Sequence, residues 1–236
     1  MNIERTLYIT LDIDWANDEV LEYSAELLNS LEVTATIFVT HATPVLGRLR
    51  EKGFELGIHP NFNHLLEGME GATAARVIHD LKDAVPEAVS VRSHSVLSSI
   101  QLSQDFRDAG FTHESNYFVP SHSGITLLPY EQPEGLIQTP YNWGDYSSCQ
   151  TGWKVTPDEY LECPGLKVMN FHPIHLYLNT DDLSLYHQAK GYTRDVSVLN
   201  AYVNKGRKGT TRYFEDLVKT AKGKGVVFDH IKNITL

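Results

Sequence analysis

The strongest constraint in this sequence is positional. Short, β-branched and aromatic runs alternate with stretches of helical period, and four of the runs end in polar, reactive side chains. Leu7–Leu11 leads into Asp12-Ile13-Asp14. Phe54–Ile58 leads into His59, Ala88–Val91 into Arg92-Ser93-His94, and Leu166–Phe171 into His172-Pro173-Ile174-His175. Runs that are apolar throughout, with no polar alternation, suit strands covered on both faces. Between them the sequence predicts helices over Glu19–Leu31, from Pro44 towards Lys52, and over Ala72–Ala84, Ser98–Ala109 and Thr211–Lys222. Val33–Val39 reads as a further buried strand, and a closing strand is expected from Val226. Repeated strand–helix units imply a parallel sheet, hence an α/β barrel whose carboxyl strand ends gather at one face. The stretch Phe118–Thr156, rich in Pro, Gly, Ser and Tyr, reads as long loops with short strands such as Leu136–Gln138.

Length and charge narrow the function. The 236 residues fit one barrel-sized domain, taken as residues 1–236, and 42% hydrophobic with 21% charged residues can support one large core. The net charge of −10, with no basic run beyond Lys205–Lys208, disfavours nucleic acid or an anionic membrane as partner. No apolar stretch approaches the ~20 residues of a membrane span. The N-terminus lacks a signal-like apolar run, so the expected compartment is the cytoplasm. Cys149 and Cys163 read as two ordinary thiols. A Gly-rich phosphate loop after the first strand, a Gly-x-Ser-x-Gly elbow and a HExxH helix are all missing.

The strand-end residues carry the chemistry. Asp12 and Asp14 point to one side if both are extended, and two carboxylates so close repel unless a cation or a proton intervenes. One metal ligand and one general base is the preferred reading. His59 and His64, in His-Pro-Asn-Phe-Asn-His, add imidazoles suited to zinc and similar divalent ions, and Asn63 offers a weaker oxygen ligand or a substrate contact. Arg92 has the planar fork that suits a carboxylate and could orient Asp12. His94 could be a further ligand or a substrate contact. His172, or its rival His175, could protonate a leaving group. In Tyr-Asn-Trp-Gly-Asp, Trp143 offers a flat ring for sugar packing and Asp145 a carboxylate to hold His172 in one tautomer.

In this order the pieces resemble the polysaccharide deacetylases (carbohydrate esterase family four), and within them the WbmS-like subgroup associated with bacterial surface-polysaccharide synthesis. The resemblance implies an irregular (β/α)7 barrel. Thr10-Leu11-Asp12-Ile13-Asp14 loosely matches the family's first motif, so the base falls on Asp12 and the metal-binding acid on Asp14. His59 matches the first metal histidine, Arg92 the motif arginine and His172 the late acid histidine. The sequence departs by inserting Ile13, by displacing the second metal histidine to His64 or replacing it with Asn63, and by placing His94 where a proline is usual. The implied activity is metal-dependent removal of N-acetyl groups from an amino sugar of a surface polysaccharide or its precursor. Zinc is the expected ion, with cobalt, nickel, manganese or iron as alternatives. A non-catalytic carbohydrate-binding relative and an amide hydrolase for a small non-sugar substrate remain open on the residues alone.

Overall fold

The computed structural model describes residues 3–68, 73–206 and 208–236. The first half alternates as expected: β1 (Thr6–Asp12), α1 (Asp18–Ser30), β2 (Ala35–Val39), α2 (Val45–Glu51), β3 (Glu55–Ile58), α3 (Asn63–Leu66), α4 (Ala74–Ala84), β4 (Ser90–Val91) and α5 (Ile100–Asp108). The expected first residue of α4, Ala72, lies outside the described residues. Then come β5 (His113–Glu114), β6 (Tyr130–Glu131), β7 (Ile137–Gln138), β8 (Trp143–Gly144), α6 (Asp145–Thr151), α7 (Pro157–Leu161), β9 (Lys167–Phe171), α8 (Pro173–Leu178), α9 (Leu183–Ala189), α10 (Val196–Leu199), α11 (Thr210–Gly223) and β10 (Val227–Phe228).

The strands form one sheet in the order β6-β7-β5-β4-β3-β2-β1-β9-β8, with β10 added beside the start of β1. Every pairing is parallel except β6 with β7. The sheet curls into the irregular barrel expected of a (β/α)7 fold, with β1 central between β2 and β9.

Period-two alternation sorts this sheet into two cores. Leu7, Ile9 and Leu11 of β1 join Ile37, Val39, Met169 and Phe171 under the helices, in the larger cluster. Tyr8 points the other way and packs with Phe38, Val168, Leu127, Leu166, Ile231 and Ile234 inside the curl. The inward register then continues up each strand into polar residues: Thr10 and Asp12 on β1, Asn170 then His172 on β9, Ser90 then Arg92 on β4, and Glu55, Gly57, then His59 on β3. One parity rule therefore delivers the reactive groups to the upper mouth of the barrel.

The lower end is closed by the C-terminal segment. Ile231 and Ile234 are buried there, His113 Nε2 pairs with the Ile234 carbonyl at 2.9 Å, and Glu55 accepts from the Lys232 N–H.

Candidate functional site

Asp12 ends β1 facing inward. Its Oδ1 accepts from Arg92 Nη1 at 3.1 Å and its Oδ2 from Asn170 Nδ2 at 2.8 Å. Arg92 is fully buried, yet every part of its fork is engaged: Nη1 also reaches Thr10 and Asn170, Nη2 the Ser115 hydroxyl and Nε the Ser115 carbonyl. Its plane lies between the Phe38 and Tyr141 rings, 4.5 and 4.7 Å from their centroids. A buried cation held this way is a rigid support, because removing one partner strands the charge. The expected pairing of Arg92 with Asp12 is thus present.

Beyond Asp12 the chain turns sharply. Trp15 adopts a left-handed φ of 57°, and Asn17 caps α1 by accepting from the Val20 N–H. The turn carries Asp14 over the barrel mouth. There its Oδ2 lies 3.0 Å from His59 Nε2 and 3.1 Å from His94 Nδ1. Burial opposes ionisation of Asp14, but the two imidazoles more than reverse this and hold its carboxyl well below the usual range. His94 sits where Ser95 and Val96 both take positive φ, at 55° and 49°, a strained turn that aims the ring at Asp14. The Asp14 contact, set against partial burial, raises the His94 pKa.

His59 is buried, and neither ring nitrogen makes a well-directed hydrogen bond. Nε2 is close to Asp14 without being aligned with it, and Nδ1 is 3.7 Å from Asp12 Oδ1. Buried polar atoms are rarely left so. Two imidazoles and a carboxylate, with donor atoms all within 4.8 Å of one another, have the composition of a site for zinc or a similar divalent ion. The residues present therefore fit such an ion.

The expected ligand set needs a correction. His64 and Asn63 lie on α3 and are exposed, and His64 faces Glu67, 3.8 Å away. Offsets of four and five residues from His59 place Asn63 and His64 on a solvent-facing turn outside the cluster. His94, delivered by the neighbouring strand, completes the group instead.

A second group adjoins the first. His172 follows β9 and starts α8, with Pro173 at the first helical position. Asp145, at the head of α6, holds it twice: Oδ1 pairs with His172 Nδ1 at 2.7 Å and Oδ2 accepts the His172 backbone N–H at 2.7 Å. Burial alone would depress His172, but Asp145, and then Asp12 and Asp14, push it up to about 9. Its expected rival His175 is also buried and pairs through Nδ1 with Thr180, and burial carries it down to about 4. A group protonated at neutral pH and one neutral there stand side by side.

Trp143 also needs correction. Its ring is buried, stacked on Tyr213 at 5.0 Å and packed on Phe171 at 4.9 Å, so neither face is open to a sugar. The aromatic that does border the site is Trp15, stacked on His172 at 5.6 Å and edge-on to His94 at 6.3 Å. Its place directly after the acidic pair is the one signal that the sequence carries for it. Thr10, Ser115 and Asn170 have none, because small polar residues inside strands carry no motif.

This geometry defines a class, an α/β barrel with a carboxylate–imidazole centre at the carboxyl ends of its strands. Comparison supplies the family. The description of the WbmS-like polysaccharide deacetylases matches residues 9–190, and the chain belongs to that family. A crystal structure from Bordetella bronchiseptica, described as a polysaccharide deacetylase involved in O-antigen biosynthesis, is 33% identical with a TM-score of 0.88, over 93% of this chain and 91% of that one. The catalytic domain of a peptidoglycan N-acetylglucosamine deacetylase from Eubacterium rectale shares the fold at a TM-score of 0.54 and 12% identity, covering 98% of this chain and 90% of that one. Peptidoglycan deacetylase PdaC from Bacillus subtilis does so at 0.53 and 12%, covering 98% and 89%. A search of curated proteins gives no match. Among the described residues no helix is long and apolar enough to cross a membrane.

Proposed function

We propose that this chain is a metal-dependent deacetylase that hydrolyses the N-acetyl group of an amino sugar in a bacterial surface polysaccharide or its precursor. The observation that carries this is the buried imidazole of His59, close to Asp14 without a well-directed hydrogen bond at either ring nitrogen, with His94 on the same carboxylate oxygen. Asp14, His59 and His94 hold the ion, with zinc first and cobalt, nickel, manganese or iron as alternatives. A divalent ion bound there supplies a Lewis acid for the acyl carbonyl and lowers the pKa of water.

The protein groups do the rest. Asp12 serves as general base, taking the proton of the attacking water. Arg92 and Asn170 fix its two oxygens so that it meets that water in one orientation. His172, its Nδ1 tied to Asp145, uses Nε2 to deliver a proton to the departing amine. With a pKa raised to about 9 it carries that proton at neutral pH. Trp15 covers the His172 ring and shields this exchange from bulk water. The likeness to the Bordetella protein supports an O-antigen type of substrate. The proposed compartment is the cytoplasm.

The test combines elemental analysis of purified protein with turnover on two panels, N-acetylated amino sugars and nucleotide sugars against ureide-type amides. Release of acetate from the first panel, dependent on one bound ion, is expected. Turnover confined to the second panel, or unaffected by stripping the metal, defeats the proposal.

A further inference from the structure

His172 and His175 stand three residues apart across the first turn of α8, a spacing that sets two side chains on one helix face. Asp145, the first residue of α6, meets them there. All three are buried, and one donor atom from each lies within 4.8 Å of the other two. The residue types repeat those of Asp14, His59 and His94, yet the two groups share no member. The His172 ring is already 2.7 Å from an Asp145 oxygen. His175 supplies a second observation. Its Nδ1 pairs with the Thr180 hydroxyl at 3.1 Å, while its Nε2 is buried and has no hydrogen-bond partner among the described residues. A histidine fixed through one nitrogen, with the other left open, has the habit of a metal ligand, because the outer contact sets the ring and its tautomer. With Nδ1–H donating to Thr180, Nε2 presents a lone pair.

Asp145 is engaged but has room for an ion. Its Oδ1 accepts from His172 Nδ1 and from the Tyr146 N–H, and its Oδ2 accepts from the His172 N–H. An ionised carboxylate offers about four lone-pair sites, and the bond from His172 Nδ1 is the one that an ion replaces. Behind Asp145, a cavity of about 270 Å³ between β8, α6, α7 and α11 reaches both Asp145 and Thr180. The carboxylates of Asp145, Asp181 and Asp216 line it against the exposed ammonium groups of Lys154 and Lys208, so charge does not bar a cation from this approach.

We propose that Asp145, His172 and His175 form a second site for a zinc-like divalent ion, weaker than the first, and that an ion there stops turnover. Two effects make it weaker. The ion displaces the proton that His172 shares with Asp145, which passes to solvent. It also enters a region already carrying the charge of the first ion. The block follows from His172. A ring that binds an ion through one nitrogen is a neutral ligand with a single proton left. Giving that proton up would leave an anion, so the ring no longer serves as an acid. The block rests on the role proposed above for His172, whereas the site does not.

Metal-free protein with nitrogen-15-labelled histidine is titrated with zinc, and bound zinc is counted by equilibrium dialysis and elemental analysis. The first equivalent is expected to move the ring resonances of His59 and His94, and a second, weaker one those of His172 and His175. As the second fills, acetate release should fall about 10²–10⁴-fold, the worth of the lost acid. His175→Phe keeps a ring against Tyr146 and Tyr186 and should bind one equivalent, and whatever turnover it has should no longer fall in excess zinc. Thr180→Val, which leaves every ligand in place, should weaken the second equivalent about 10–100-fold and stands in if the phenylalanine variant fails to fold. A single equivalent in zinc excess overturns the site. So does a second that leaves the His175 resonances unmoved, or one that both variants bind as tightly. A second equivalent on His175 with turnover undiminished overturns the block, and with it the part of His172 as the acid. Two ions taken up on these resonances with no acetate released at any zinc level supports the site and defeats the deacetylase reading.

Discussion

Asp12 and Asp14 are two residues apart, yet their surroundings assign them different work. Asp12 faces a guanidinium and an amide that occupy both its oxygens, whereas Asp14 shares one oxygen between two imidazoles. Asp12→Asn should therefore keep one equivalent of metal by elemental analysis while turnover falls about 10²–10⁴-fold, the usual worth of a proton-transfer group. His94→Ala should lower metal occupancy, and His64→Ala should leave it unchanged, since His64 stands in solvent on α3. Equal occupancy in all three proteins would remove His94 from the ligand set. The Asp145–His172 pair makes a pH prediction. With the His172 pKa raised from about 6.5 in the unfolded chain to about 9 when folded, the folded protein holds the extra proton between these values. The pair's stabilisation is complete below the lower value and disappears as pH rises through the upper one. In metal-free protein, NMR should show His172 titrating near the upper value, and Asp145→Asn should bring it down and flatten the alkaline fall in stability.

At the scale of elements, the site depends on how closely β3 and β4 run. A Cβ added at Gly57 would lie 2.6 Å from the Ser90 carbonyl oxygen and 2.9 Å from the Phe38 ring, the ring on which Arg92 rests. Backbone cannot yield as a flexible side chain does. Gly57→Ala should cost about 1–3 kcal/mol in urea unfolding, and it should impair the site as well, because His59 follows β3 and Arg92 follows β4. An alanine variant of native stability would show that the strands have room to separate. The same elements show what was legible in the sequence. Helices α1, α4, α5 and α11 fall within two residues of their expected spans wherever they are described, because each has a strong apolar stripe and, in the first three, a side-chain cap at Asn17, Thr73 or Ser99. The stretch Phe118–Thr156, whose composition predicts loops with short strands, holds three two-residue strands and the helix α6, elements too short for a periodic signal and stabilised by tertiary contacts. Helices α7 to α10 went unread for the same reason.

At the scale of the molecule, the barrel has a working mouth and a plugged base. Ile231 and Ile234 enter the inner core from the last turn of the chain and pack with Tyr8, Phe38 and Val168. Ile231→Ala should destabilise the protein by about 2–5 kcal/mol in denaturant while leaving metal stoichiometry unchanged, because the cavity opens at the end remote from Asp14. A loss of metal at unchanged stability would mean that the plug acts on the site rather than on the core.

By itself the sequence determined the alternation of strand and helix, the inward register and hence the set of strand ends at which reactive groups gather. These follow from local periodicity, which a chain carries whatever its neighbours. Only the tertiary structure decided which of those groups meet. It chose His94 over His64 because adjacency across the sheet, not spacing along the chain, brings imidazoles together. It also closed both faces of Trp143 on Tyr213 and Phe171, an arrangement set by packing between β8, β9 and α11 that no stretch of sequence records.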